Sequence, residues 1–306
     1  MRRRVLVAMV HRACEAAILL ACGCNAELSD PPGAVVDAPG GGGDAGVDAA
    51  GPDAFMLGPW GAPAKVTGAS TPAAEDDGTL ANGGLELVFA VADPADGNNK
   101  DLYIMTRATT SSAFGPPSKL PFSVTGSSDE TPRFSPNGKT LYFASNRGAV
   151  GNLDIYRVTR QNAGGPWSAP ALVPGVNTTA LEKWFMPCGM SNDYLVIQGG
   201  DIARGTIGGA PPVVVTELSA PAAAETGTFL TGDCLTVYFA SVRSGTNKLY
   251  TSHRTSLTTA WQAPTPVDDF ASIGGDQEDP WLADDGRMFV FVSNVSGTKD
   301  VYISVR

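Results

Sequence analysis

The stretch DETPRFSPNGKTLYFASNRG, Asp129 to Gly148, returns near the end of the chain as QEDPWLADDGRMFVFVSNVSG, Gln277 to Gly297. Both carry an acid, a Pro, a turn closed by Gly and an apolar run in the same order. The apolar cores recur as Leu87–Val91 (LVFAV), Leu141–Ser145 (LYFAS), Tyr194–Gln198 (YLVIQ), Val237–Ser241 (VYFAS) and Phe289–Ser293 (FVFVS). Their starts lie 54, 53, 43 and 52 residues apart. A period of that size marks a propeller or a solenoid.

Each core is followed by a second element: DLYIMTR from Asp101, DIYRVTR from Asp154, DIARGTI from Asp201, KLYTSHR from Lys248 and DVYISVR from Asp300. A third, an aromatic then Pro then an aliphatic, comes next at Phe114 (FGPPSKL), Pro166 (PWSAPALV) and Ala260 (AWQAPTPV), with only GGAPPVVV from Gly208 in unit three. With the segment carrying RFSP, each unit has four short strands, one blade-sized antiparallel sheet. In Ser135-Pro136-Asn137-Gly138, Pro holds φ near −65° and Gly supplies the left-handed residue of a tight hairpin. The core that follows is apolar at successive positions, as expected when both faces are covered by neighbouring sheets.

The last unit stops at Arg306, after DVYISVR, and so lacks its aromatic-Pro strand. That strand stands at the other end, as Pro59-Trp60-Gly61-Ala62-Pro63-Ala64-Lys65-Val66. Pairing the two closes a ring and leaves no long sheet edge exposed. The expectation is an all-β, five-bladed β-propeller of four-stranded antiparallel blades; the alternative is six, with a degenerate blade in Phe55 to Thr79, a stretch too short for four strands.

The pattern E-x-P-x-x-S-P-N-G-x-x-L-Y-F-A-S-N-R-G followed by D-I-Y resembles the WD-like propeller repeats of the TolB family, in particular those of Gram-negative envelope lipoproteins. The resemblance spans Pro59 to Arg306, strongly in units two and five and poorly in unit three. It implies architecture and, with less force, a non-enzymatic binding or scaffold role in the envelope, because propellers host binding and catalysis alike.

The first residues agree with an envelope address. Arg2, Arg3 and Arg4 form a basic start, AAILLA (Ala16–Ala21) a short apolar core, and Cys22 follows Ala21, as in a lipoprotein signal whose Cys becomes the lipidated N-terminus. His11, Arg12 and Glu15 interrupt the apolar segment, and Cys24 is a second candidate. Removing residues 1–21 takes away four Arg and one Glu, moving the formal charge from −10 to −13. Such an acidic body repels phosphate backbones, so nucleic acid is not an expected partner. Residues 23–58 are rich in Gly, Ala, Asp and Pro and carry too few large apolar side chains to fold; they form a spacer before the propeller of residues 59–306. The chain is thus expected as a monomeric outer-membrane lipoprotein, held through its lipid, facing the periplasm or the cell surface and meeting an envelope protein or peptide with a basic segment.

Every unit has a Glu eleven or twelve residues before its core: Glu75, Glu130, Glu182, Glu225 and Glu278. As part of the innermost strands they would ring one mouth of the channel, as a cation site or a docking ring for a basic segment; otherwise each accepts local backbone N–H groups. No cofactor is expected apart from such a cation. Side chains that break the repeat beside them are Arg133, Lys183, Trp184 and Trp281, which either grip a sugar or peptide or plug the channel. His253 is the one histidine left after the signal, and no Ser-His-acid set, zinc cluster or phosphate loop can be assembled. Paired-carboxylate glycoside hydrolysis remains the enzymatic alternative. Cys188 and Cys234 stand at equivalent turns of consecutive blades and form either a disulfide in an oxidising compartment or two buried thiols.

Overall fold

The computed structural model describes residues 57–69, 73–148 and 152–306. The segment expected to be a lipoprotein signal, with Cys22 and Cys24, and the expected spacer up to residue 56 lie outside the described residues. Twenty strands form five four-stranded antiparallel sheets, the blades of a five-bladed propeller. β1 (Ala64–Lys65) belongs to the last blade. Blade one is β2 (Glu75–Ala81), β3 (Glu86–Asp93), β4 (Asn99–Thr106) and β5 (Ser118–Lys119); blade two is β6 (Asp129–Phe134), β7 (Thr140–Ser145), β8 (Asp154–Thr159) and β9 (Ala171–Leu172). Blade three is β10 (Glu182–Pro187), β11 (Asp193–Gln198), β12 (Asp201–Thr206) and β13 (Val213–Val214), and blade four β14 (Glu225–Leu230), β15 (Thr236–Ser241), β16 (Lys248–His253) and β17 (Thr265–Pro266). Blade five is β18 (Gln277–Leu282), β19 (Met288–Ser293) and β20 (Asp300–Val305), completed by β1. Among the described residues no helix is long and apolar enough to cross a membrane.

The apolar runs become second strands because both of their faces are covered. Leu87, Val88, Phe89 and Ala90 have no exposure at all. The hydrophobic core is divided into five clusters, one at each interface between neighbouring blades. The outermost strands have only two residues each, which keeps every free edge too short to recruit another chain.

The ring closes as the chain ends require. Ala64 pairs with Ile303 and Lys65 with Tyr302; Gly61 N donates to Val305 O at 2.9 Å and Val66 N to Val301 O at 2.9 Å. Lys65 adds an ion pair to Asp300 at 2.7 Å, and Trp60 packs on Phe270 and Phe289.

A repeated side-chain device pins the outer layer. Where the third strand ends, an arginine donates Nε to the carbonyl of the nearby turn and stacks on the aromatic ring of the fourth strand's approach. Arg107 lies 4.4 Å from Phe114, Arg160 4.5 Å from Trp167, Arg254 4.4 Å from Trp261 and Arg306 4.0 Å from Trp60; the turn carbonyls are those of Gly84, Gly138, Cys234 and Gly286. In blades one, two and four the ring comes seven residues after the arginine, and in blade five it comes from the other end of the chain. Blade three lacks the pair. Its turn is instead joined to that of blade four by a disulfide, Cys188–Cys234, with Cα atoms 5.3 Å apart.

Candidate functional site

All five innermost strands are bulged at their third residue. The register shifts there in every blade, and the bulged residue has a left-handed backbone: Asp77 (φ 61°), Thr131 (53°), Trp184 (48°), Gly227 (61°) and Asp279 (53°). A bulge twists its strand and re-aims the side chain, here toward the axis. Trp184 Nε1 donates to Asp77 Oδ1 at 2.8 Å across to blade one, and Thr131 N donates to Asp77 Oδ2 at 3.1 Å. Gly227 is glycine because a Cβ there would stand 2.6 Å from the backbone N of Asp279.

The bulge separates the five expected acids into two classes. Glu75, Glu182 and Glu225 occupy the first position of their strands, where blades two and five have Asp129 and Gln277. Glu130 and Glu278 occupy the second position, equivalent to Asp76, Lys183 and Thr226. A single ring of five glutamates is therefore not formed. The first-position acids are buried: Glu182 accepts from Thr178 N and Oγ1, and Glu225 Oε1 accepts from Ser241 Oγ, Arg243 Nη2 and Ala220 N. Asp129 binds Arg147 in the way Glu225 binds Arg243, each arginine also bonding the Ser two residues before it. Blade five has neither partner of this pair: Gln277, which donates to Phe270 O, stands with Val295 at the arginine's place. In blades one and three the acids Glu75 and Glu182 stand without that arginine, Asp93 and Gly200 occupying its place, so the ion pair is a device of blades two and four.

The second-position groups face a mouth in which acids and lysines interlock. Lys100 Nζ lies 2.8 Å from Asp76, 3.5 Å from Glu130 and 3.7 Å from Asp77; Lys183 lies 2.8 Å from Glu130, and Lys299 2.8 Å from Glu278 and 3.2 Å from Asp76. Burial alone would lower the Lys100 pKa, but Asp77, Asp76 and Glu130 outweigh it and push it far up. Just inside, Asp76, Asp77 and Asp279 bring carboxylate oxygens within 4.8 Å of one another. Burial, then Asp77 and Asp76, raise the Asp279 pKa well above the ordinary range. At Asp76 burial works upward too, but Lys100 and Lys299 prevail and hold it low. Such a trio has the oxygen ligands a small hard cation takes, although here the lysines already supply positive charge. Arg133 is wholly buried beside the trio, donating Nη1 to Pro132 O at 2.9 Å, and burial depresses its pKa. Sequence reasoning passed over Asp76, Asp77, Asp279, Lys100 and Lys299. The signal was present as E-D-D in unit one, E-D-P in unit five, and a Lys directly before the third-strand Asp in those same two units.

The innermost strands run from this charged mouth to a wide opposite end. There a cavity of about 640 Å³ lies on the axis, lined from all five blades by strand ends and turns, among them Leu80, Phe134, Met186, Phe229 and Trp281. Its rim carries Asp284, Asp285, Arg287 and Arg306. Of the expected site residues only Trp281 lines it; the half-buried Trp184, the fully buried Arg133 and the three buried aspartates are not part of its wall. His253 is exposed, with Nδ1 3.0 Å from Thr236 Oγ1, far from a catalytic arrangement.

No protein-family model matches the chain, and no curated protein matches it either. Solved propellers do resemble it in fold. A putative TolB from Agrobacterium tumefaciens aligns over 76% of this chain and 76% of its own at 15% identity, with a TM-score of 0.50. The catalytic domain of a Coprinopsis cinerea GH62 α-L-arabinofuranosidase aligns over 81% and 97% at 13% identity, TM-score 0.53. An endo-arabinase from Bacteroides thetaiotaomicron aligns over 79% and 96% at 11% identity, TM-score 0.54. At these identities the likeness is one of fold, shared by TolB and glycoside hydrolases alike.

Proposed function

We propose that the protein is a non-enzymatic binding propeller of the bacterial envelope, tethered through a lipid on Cys22 or Cys24, which seats its ligand at the wide end of the axis. The observation that carries this is the separation of cavity and carboxylates. A ligand-sized, mainly apolar cavity opens at one end, while the carboxylates sit at the other, buried or neutralised by Lys100, Lys183 and Lys299. A docking ring would need acids with free charge, and these have little to offer. The ligand is an envelope protein or peptide that inserts an apolar anchor beside a basic residue, the latter meeting the exposed Asp284 and Asp285.

The test is affinity capture from detergent-solubilised envelope with the full chain and with two rim variants, Ser111→Trp and Asp285→Arg. Ser111 and Asp285 both line the cavity and are exposed. Loss of the captured partner in both, at unchanged melting temperature, supports the proposal; equal capture by all three proteins refutes it.

A second reading has one observation behind it. Asp279 and Asp76 are neighbouring carboxyls whose environments push their pKa values in opposite directions, the arrangement that separates an acid from a base in glycoside hydrolysis. The fold shared with an endo-arabinase and an arabinofuranosidase makes arabinan the polymer to try. Release of reducing sugar that disappears in Asp279→Asn would replace the binding proposal with a hydrolase.

A further inference from the structure

Blade three breaks the repeat, and a second cavity lies on its other side, against blade four. Where the other blades stack an arginine on an aromatic ring, blade three has Ile207 and Gly209. Gly209 takes the aromatic position by register: Val213, four residues on, pairs with Arg204 as Ala171, four after Trp167, pairs with Arg157. On the side facing blade four lies a cavity of about 500 Å³, between blades three and four. Gly209, Tyr194 and Arg204 line it on one side, and Arg254, Leu257 and Trp261 on the other.

The charge of this cavity is unbalanced, and the homologous interface of blades one and two indicates what is missing. There the Arg160 guanidinium is clasped by the Glu86 carboxylate, Nη1 to Oε1 at 3.1 Å. Glu86 opens the second strand opposite Thr106, and Asp193 opens that of blade three opposite Thr206. Asp193 is one methylene shorter and accepts from Thr206 Oγ1 at 2.8 Å. Among the described residues neither Arg254 nor Arg204 has an ion pair; Arg254 spends Nε and Nη1 on the carbonyls of Cys234 and Leu257. Burial and then Arg204 itself act to lower the Arg254 pKa, with Asp193 only partly opposing them.

We infer that this cavity binds a small apolar molecule bearing one carboxylate. Its carboxylate meets Arg254 and Arg204, at the place Glu86 fills between blades one and two, in the paired geometry guanidinium groups favour. Its hydrocarbon body lies against Trp261, Leu257 and Val213. Val213 and Leu257 are 66% and 53% exposed, large apolar side chains held in water at the cavity's edge. The volume falls within the range of small-ligand pockets. The site is distinct from the axial cavity and does not depend on the function proposed for it.

Isothermal titration of the full chain with 4-phenylbutyrate, and with its uncharged primary amide, tests the inference. The acid is expected to saturate one site and the amide to bind at least about tenfold more weakly, a difference of about 1.4 kcal/mol. Arg204→Glu is expected to weaken the acid by a similar factor, and Val213→Trp to abolish binding by filling the cavity. Both positions are exposed, and the melting temperature of each variant establishes that it folds. Lys139→Glu on a remote turn, and Ser111→Trp at the axial rim, are expected to leave the titration unchanged. Absence of saturable binding, equal binding of acid and amide, or wild-type affinity in both Arg204→Glu and Val213→Trp overturns the inference.

Discussion

At the scale of single residues, one position along a strand separates an architectural acid from a channel-facing one. Glu225 is fully buried and holds Arg243 and Ser241; Glu278 touches a Lys299 whose side chain is 33% exposed. Glu225→Ala is therefore expected to cost about 3 kcal/mol, the low end for breaking a buried pair because Arg243 keeps some solvent. Glu278→Ala is expected to cost under about 1 kcal/mol, and urea denaturation of the two variants measures the contrast. Asp279 makes stability pH-dependent in the opposite sense to Asp76. The fold favours neutral Asp279, so stability falls as pH rises from 3.8, the ordinary carboxylate value, toward the raised folded pKa. Asp76 contributes above 3.8, and that contribution is lost as pH falls toward its depressed folded pKa. Asp279→Asn removes the first effect, so its melting temperature should gain on the wild type as pH rises from about 4 to about 7. A constant difference across that interval would contradict the burial of a protonated Asp279.

At the scale of elements, the bulged inner strand is the unit that makes the axis. Five left-handed bulges bring one residue per blade toward the axis, four of them with a side chain and Gly227 without one, and a non-Gly residue in that conformation costs of order 1–3 kcal/mol unless its surroundings enforce it. Here the enforcement is mutual: Asp77 accepts from Thr131 N and Trp184 Nε1, and Trp184 N donates to Thr131 Oγ1. The turns between inner and second strands are the second device. In blade two the turn is held by Ser135, Asn137 and Gly138, whereas in blades three and four Cys188 and Cys234 join theirs covalently. With the two cysteines separated by 46 positions in sequence, the loop-closure entropy of the unfolded chain puts the bond at about 4 kcal/mol. The Cys188→Ser, Cys234→Ser protein is expected to lose about that much in denaturant titration, and reducing agent should lower the wild type to the same stability.

At the scale of the molecule, stability is a property of closure. Each interface between blades has its own apolar cluster, so the ring is held by five contacts in series and loses cooperativity if one opens. The joint between chain ends is the one made without covalent continuity. Trp60 carries it, lying against Phe270, Phe289 and the Arg306 guanidinium. Trp60→Ala is expected to cost about 3 kcal/mol, the low end for a large aromatic because the ring is only half-buried. It should also free β20 as an edge able to pair with another chain, so the variant is expected to associate on warming, which light scattering at the melting transition would detect. A monomeric melt of unchanged midpoint would mean that the joint is not where the ring is held.

What the sequence determined by itself was everything that repeats. The period of the apolar runs, the Pro-x-Gly turns and the orphaned strand at Trp60 specify five blades and their closure, because strand identity and turn geometry depend on residues close in the chain. The counts of eleven and twelve residues between each Glu and its core even held the two classes of acid. Only the tertiary structure decided what those counts meant, since a bulge moves a side chain from the blade interior to the axis without changing its neighbours in sequence. Likewise the pairing of Lys100 and Lys299 with Asp76, the raised pKa of Asp279 and the cavity between blades three and four arise from groups on different blades. Their energies depend on distance and burial in the closed ring, quantities that exist only once the blades have met.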